Sequence, residues 1–114
     1  MSIAYAKFFP PTVLAVAVAT LYTVPTQPSS NLFRGGRVRF TNTTALAASV
    51  TANAVPVGGT ASAGNAFLSG VTVPANSYVD SDTPILNAGD TLQALSGTAS
   101  AITAHALFGG VFSS

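Results

Sequence analysis

The chain has 114 residues, enough for one domain with a single core, and 48% of them are hydrophobic, which excludes a disordered chain. A net charge of +1 excludes the clustered cations that nucleic-acid binding requires. The lack of cysteine excludes disulfide bonds and thiolate metal sites. Charged residues make up only 6% of the chain, against about 25% in soluble domains, and uncharged Ser, Thr and Asn are buried in interfaces at a lower desolvation cost. The composition therefore indicates a subunit of an assembly.

The N-terminus predicts an extended arm, residues 1–11, ahead of a β-sandwich domain, residues 12–114. The double proline Pro10-Pro11 denies the arm a regular strand continuation. Its large apolar side chains would form an exposed patch if the arm hung free, and such patches mark interaction sites. We therefore expect the arm to pack on a neighbouring subunit, with Phe8 and Phe9 as buried anchors. The alternative is that it folds back over its own sandwich as an extra edge strand. The apolar side chains in question are Ile3, Tyr5, Phe8 and Phe9.

The run between Pro11 and Pro25 is the most apolar part of the sequence. It is too short for a membrane-spanning helix, which needs about 20 apolar residues. Lys7 and the small residues at 17–19 resemble parts of a secretion signal, but the double proline breaks the helix that signals adopt. Large and small side chains alternate along the run with a period of two. It is therefore predicted to form one long β-strand, with its large side chains in a core.

Further strands and turns alternate along the rest of the chain. In "RVRFTN", Val38 and Phe40 point one way while Arg37 and Arg39 point the other. "FRGG" permits a tight turn or a bulge, "GGTASAG" is typical of a hairpin loop, and "NAGD" is a turn signal. Seven or eight short strands, with turn signals roughly every ten residues, predict an all-β fold, a β-sandwich or barrel. The pattern does not choose between an immunoglobulin-like and a jelly-roll strand order.

The search for chemistry finds few candidates. His105 is the only histidine, so a metal site would have to be completed by carboxylates, and a histidine on a sheet face is the simpler interpretation. Asp80 and Asp82 could share a strand face as a calcium or acid–base pair, but "SYVDSDTP" is typical of a strand that runs into a turn. Asp90 in "NAGD" is interpreted as a turn former. We therefore expect no catalytic residue, no cofactor, no metal and no small-molecule substrate.

Three arginines are candidates for a partner interface. Arg37 and Arg39 should share one outward sheet face, with Arg34 nearby. Because the sequence offers so few acidic residues, we expect these cations to pair with carboxylates on a partner protein.

The order of several segments resembles small β-sandwich virion proteins of tailed bacteriophages, which are capsid decoration (cement) proteins or minor tail components. The resemblance runs from about Ala19 to Ala106 and is carried by structural motifs of strands and turns. These motifs are "YTVP" at 22–25, "TNT" at 41–43 and "LNAGDTLQA" at 86–94. The arm lies outside the shared pattern.

This resemblance implies a jelly-roll or related sandwich that binds the outer surface of a phage head in the host cytoplasm. There it would bridge neighbouring major capsid proteins and associate with itself as a dimer or trimer. A minor tail or fibre component is the alternative, followed by a glycan- or receptor-binding module and a small enzyme. A glycan module should present a line of tyrosines, whereas the three tyrosines fall in separate segments. An enzyme should bring His105 together with an aspartate.

Overall fold

The computed structural model describes residues 2–5, 8–26 and 31–113, with side chains at 8–26 and 31–111. These residues form β-structure and connecting loops, with one 3₁₀ turn at Ala63–Asn65. The part of the chain described contains no helix long and apolar enough to cross a membrane. The predicted all-β fold is confirmed. The strands are β1 (Ser2–Tyr5), β2 (Thr12–Val13), β3 (Ala19–Thr23), β4 (Leu32–Asn42), β5 (Ala48–Val55), β6 (Ala66–Val73), β7 (Tyr78–Asp82), β8 (Leu86–Asn87), β9 (Thr91–Ser96) and β10 (Ile102–Ser113).

The strands form two antiparallel sheets that pack against each other. Sheet A has the order β1-β10-β4-β7, with β2 also paired to β10 and β8 to β4, and sheet B has the order β3-β9-β5-β6. Because β1 and β2 both pair with β10, they count as one interrupted strand. With the short β8 set aside, eight strands then have the orders 1-8-3-6 and 2-7-4-5. This is jelly-roll connectivity, so the predicted jelly-roll-like sandwich is confirmed.

The core lies between the inner faces of the two sheets. On β4, Phe33, Val38 and Phe40 are fully buried, whereas Arg37 and Arg39 point outward. This is the alternation predicted from "RVRFTN", and it arises because successive side chains of a strand leave opposite faces of the pleat. Burying each large apolar side chain contributes about 1.5–3 kcal/mol.

A bulge at Gly35 decides which arginines face outward. Gly35 has φ of +69°, a left-handed conformation that glycine adopts without steric cost. The pairing of β4 with β10 shifts in register next to it, between Arg34 and Arg37. The extra residue reverses the alternation, so that Arg34 and Arg37 are both exposed although they are three positions apart. Of the two alternatives that "FRGG" permits, a tight turn or a bulge, the structure has the bulge.

The prediction of one long strand between Pro11 and Pro25 is wrong. The run divides into β2 and β3, which belong to different sheets. Between them, the Leu14 amide donates to the Ile102 carbonyl of β10, and the Ala15 carbonyl accepts from the Ser96 amide of β9. The chain therefore crosses from one sheet to the other here, and Val16, which a single strand would bury, is 58% exposed.

Two predicted turns are confirmed. Gly89 has φ of +86°, and both carboxylate oxygens of Asp90 accept backbone amide protons, from Val57 at 3.0 Å and Asn87 at 2.9 Å. Asp90 is thus the turn former that the sequence indicated. The loop at 56–65 joins β5 to its antiparallel neighbour β6, as expected of a hairpin loop.

Candidate interaction surfaces

The outer face of sheet A carries a bidentate ion pair between Arg39 and Asp80. The Arg39 guanidinium donates two hydrogen bonds to Asp80, from Nε to Oδ1 at 2.8 Å and from Nη2 to Oδ2 at 3.0 Å. Its central carbon lies 4.0 Å from the centre of the Tyr78 ring, a cation–π arrangement. The hydrogen bonds from Arg39 lower the pKa of the Asp80 carboxyl and raise the pKa of Arg39 itself. The pair forms because β4 and β7 are in register, with Arg39 opposite Asp80.

The expected availability of the arginines to a partner needs correction. Arg39 is engaged within its own chain, so it does not offer a free cation. Arg37 lies opposite Asp82 in the same register, with 3.9 Å between Nε and Oδ1, and both side chains are largely exposed. Exposed pairs of this kind are weak, at about 0–1 kcal/mol, so a partner carboxylate could compete for Arg37. Arg34 is exposed on the same face and also takes part in an interaction.

Asp80 and Asp82 also differ from their sequence interpretation. Both lie within β7 and share its outward face, so they belong to a strand and not to a turn. Each carboxylate faces an arginine across the strand pair. Within the described residues, no group of three or more His, Asp, Glu or Cys side chains could hold a metal ion.

The Arg39–Asp80 pair predicts a specific pH dependence. Asp80→Asn should lower the melting temperature at pH 7, because the variant loses the charge-assisted bond. The folded-state pKa of Asp80 is lowered, so its contribution is present above the unfolded value of about 3.9 and disappears as pH falls through the folded value. Thermal unfolding followed by circular dichroism at pH 7 and pH 2.5 should show the gap between variant and wild type narrowing. Asp82→Asn, at an exposed position, is the matched control, and an equally large change there would contradict the prediction.

His105 lies on the outer face of sheet A, half-buried in β10. Its cross-strand neighbour is Arg39, and the next strand beyond Arg39 carries Asp80. Two strand spacings of about 4.8 Å therefore separate the backbones of His105 and Asp80, with Arg39 on the strand between them. His105 thus occupies the sheet-face position that the sequence indicated.

Sheet B differs from sheet A because none of its four strands contains a charged residue. Its outward positions are Thr51 and Ser49 on β5, Gln93 and Leu95 on β9, and the exposed Ser69 on β6. The low charge content was visible in the sequence. That the strands of sheet B contain no charged residue was not visible, because it depends on which strands pair.

A shallow groove of about 250 Å³ crosses the outer face of sheet B beside the β5–β6 loop. Asn53 forms its floor and is itself buried, donating from Nδ2 to the Ser62 carbonyl at 2.9 Å and to Asn65 Oδ1 at 2.8 Å. The lining contains no charged side chain, so the groove suits an uncharged partner surface. The lining residues are Val18, Thr51, Asn53, Ala61, Ser62, Ala63, Ala66, Ser69 and Leu95.

The prediction that Phe8 and Phe9 are buried anchors in a neighbouring subunit is corrected for Phe9, and Phe8 is half-buried against its own chain. Phe9 is 3% exposed and belongs to the core of its own chain. Phe8 packs against that core with its ring centre 4.6 Å from Phe33, 5.0 Å from Phe9 and 5.3 Å from Tyr22. Burial there raises the pKa of the Tyr22 hydroxyl. The physical reason is that these side chains gain as much by filling a gap in their own sandwich as by filling one in a neighbour.

The beginning of the arm, β1, also pairs within its own chain. β1 pairs antiparallel with the end of β10, with Ile3 opposite Phe112 and Tyr5 opposite Gly110. It is therefore the extra edge strand that was the alternative prediction. The side chains of Ile3 and Tyr5 lie outside the described part of the structure.

The fold and these surfaces define a jelly-roll sandwich with one ion-paired sheet and one uncharged sheet. No protein-family model matches the sequence, and no curated protein matches it. Two solved structures share the fold. A chain of Bacillus endospore appendages, described as a novel family of disulfide-linked pili, is 19% identical, with a TM-score of 0.54 over 96% of this chain and 85% of that one. A chain of infectious bursal disease virus Gx strain is 14% identical, with a TM-score of 0.50 over 96% of this chain and 31% of that one. At these identities the likeness establishes the fold.

Proposed function

We propose that this protein is a structural subunit of a virion, and specifically a decoration (cement) protein on the outer surface of a tailed-phage head. In this role it binds neighbouring major capsid proteins and bridges them, so that many weak contacts repeated around the shell resist internal pressure. It associates with itself as a dimer or trimer. The role needs no substrate, cofactor, nucleic acid or membrane.

The observation that carries this proposal is the uncharged sheet B. A protein that only has to remain soluble benefits from charges dispersed over its surface, because they prevent association. Here, an entire sheet lacks charged residues, including both of its edge strands. Ser, Thr, Asn and Gln side chains can form hydrogen bonds across an interface without the cost of burying a charge. The sequence motifs that resemble small virion proteins of tailed bacteriophages support association with a virion.

A tail or fibre component is the second candidate. The observation that favours it is the jelly-roll likeness to an appendage protein described as a pilus, because it spans 85% of that chain. The same uncharged sheet could serve a linear assembly as well as a shell.

Copy number separates the two candidates. Particles purified from the source culture should be resolved on denaturing gels, and the band of this protein should be quantified against that of the major capsid protein. Hundreds of copies per particle support head decoration, and a handful support a tail location. Absence from purified particles would overturn both virion roles.

The arginine face supplies a further prediction. Replacing Arg37 and Arg39 together by alanine should weaken binding to undecorated capsids several-fold, because carboxylates on the capsid lose Arg37 as a cationic partner. The fold should remain, although loss of the Arg39–Asp80 pair should lower the melting temperature as in Asp80→Asn. The exposed Arg37–Asp82 pair should contribute little to stability. Binding should be measured by co-sedimentation at low and high salt, with Arg39→Ala as the control, since that cation is already paired within the chain. Unchanged binding of the double variant at both salt concentrations would show that this face only contacts solvent.

A further inference from the structure

The charges of this protein are divided unevenly between its two sheets. Six of its seven charged residues lie in the part of the chain that the structure describes. Five of these are on β4 and β7 of sheet A, and the sixth, Asp90, is held in the turn before β9 by two backbone amides. The free edge of sheet A at β7 therefore carries Asp80 and Asp82, whereas the two edges of sheet B, β3 and β6, carry no charge.

This contrast matters because edge strands are sites of association. An edge strand presents a row of unpaired amide and carbonyl groups, and soluble proteins protect such edges with charges, prolines, bulges or short strands. β6 contains neither charge nor proline and is eight residues long. Its protective features are two irregularities in its pairing with β5. One lies between Leu68 and Val71, where Gly70 has φ of +59° and its amide donates to Thr51 Oγ1 at 3.0 Å, and the other lies between Ala66 and Leu68. Among the described strands, none pairs with the outer side of β6.

The other edge of sheet B is shorter. β3 has five residues, and its pairing with β9 shifts in register between Thr20 and Tyr22. Since an antiparallel pair forms roughly one hydrogen bond per residue of each strand, β3 offers fewer than β6. The more favourable partner for β6 is therefore a second copy of β6.

We propose that β6 is a self-association edge, at which two copies of this chain pair antiparallel about a twofold axis to form a continuous eight-stranded sheet. The pairing buries no charged side chain, so its desolvation cost is low. A twofold axis beside Ser69, near the middle of the strand, sets Ala66 opposite Thr72 of the second copy. Ala66 and Ser69 also line the uncharged groove, so the groove continues into the new interface. This inference deepens the proposed role as a subunit. It rests on the self-association in that role and not on binding to a capsid.

Cysteine cross-linking tests the arrangement directly, because the chain contains no cysteine of its own. Opposed residues of an antiparallel pair have Cα atoms about 4.5–5.5 Å apart, which a disulfide can span. Ser69→Cys should therefore give a covalent dimer on mild oxidation, visible on a non-reducing gel. Ala66→Cys mixed with Thr72→Cys should give a cross-linked heterodimer. Thr23→Cys, exposed on β3, is the matched control and should stay monomeric.

Light scattering supplies an independent readout on the cysteine-free protein. Wild type should show a concentration-dependent dimer, and Thr72→Lys should raise its dissociation constant at least tenfold, whereas Thr23→Lys should not. Circular dichroism establishes that both lysine variants are folded. A wild type that remains monomeric at all concentrations overturns the proposal. So does cross-linking that requires one cysteine on β6 and one on β3, because that pattern indicates head-to-tail association.

The outcome is separable from that of the proposed function. Dimerisation through β6 together with absence from purified particles would retain this inference and reject the virion role. Capsid binding by a strictly monomeric protein would retain the virion role and reject this inference.

Discussion

Replacing Phe33 by alanine is expected to lower the free energy of unfolding by about 3–5 kcal/mol, because the ring is fully buried and its surroundings cannot collapse to fill the space. The Phe8 and Tyr22 rings lie on it, with centres 4.6 and 5.4 Å away. Gly36 and Gly109 close the other sides, where an added Cβ would come within 2.5 Å of the Phe33 ring. Since domains of this kind are stable by about 5–15 kcal/mol, urea unfolding should show a large shift of the midpoint.

The control is Phe108→Ala, a phenylalanine that is 49% exposed on the other face of β10, where the change should stay within about 0.5 kcal/mol. Gly109→Ala alone should cost about 1–3 kcal/mol by overpacking. Combined with Phe33→Ala, the same methyl group enters vacated space, so its cost should fall or disappear. If Gly109→Ala lowers the free energy of unfolding equally in wild type and in Phe33→Ala, the Phe33 ring does not pack against the backbone of Gly109.

The second large effect is expected at Asn42, which is fully buried at the end of β4. Its Nδ2 donates to the carbonyls of Leu46 at 2.8 Å and Val73 at 3.1 Å. Its Oδ1 accepts from the Thr44 amide at 2.9 Å and the Thr44 hydroxyl at 2.7 Å. Asn42→Asp removes both donors and places a carboxylate oxygen against the Leu46 and Val73 carbonyls, of which Leu46 keeps the Thr44 hydroxyl as an alternative donor at 2.9 Å. We therefore expect a loss of about 3 kcal/mol or more at pH 7.

The pH dependence of that loss distinguishes a buried charge from a mere change of shape. Burial should raise the folded-state pKa of the introduced carboxyl above its unfolded value of about 3.9. The penalty should therefore be smaller at pH 3.5 and grow as pH rises to 7. Asn76→Asp is the control, since Asn76 is exposed at φ of +53°, which Asp also tolerates. A penalty for Asn42→Asp that does not vary with pH would contradict this account.

Gly36 and Gly109 show a kind of residue that sequence reasoning missed. Both glycines have ordinary backbone conformations and sit on different strands, so nothing local marks them as walls of one cavity. Their role depends on Phe33 lying between them. The functional reading of the arm failed for a related reason, because a run of apolar residues predicts burial without saying in which chain the burial takes place.

The sequence by itself determined the class of fold and its local features. Alternation with a period of two predicts strands because it follows from the pleat, as in the buried Val38 and Phe40 of β4, and the turn at Gly89 and Asp90 follows from the conformations that these residues favour. Only the tertiary structure decided that the run from Pro11 to Pro25 crosses between sheets, that Arg39 is bound by Asp80, and that sheet B is free of charge. Each of these depends on the pairing of strands distant in the chain, 41 residues apart for Arg39 and Asp80, and a local pattern does not encode which strands pair.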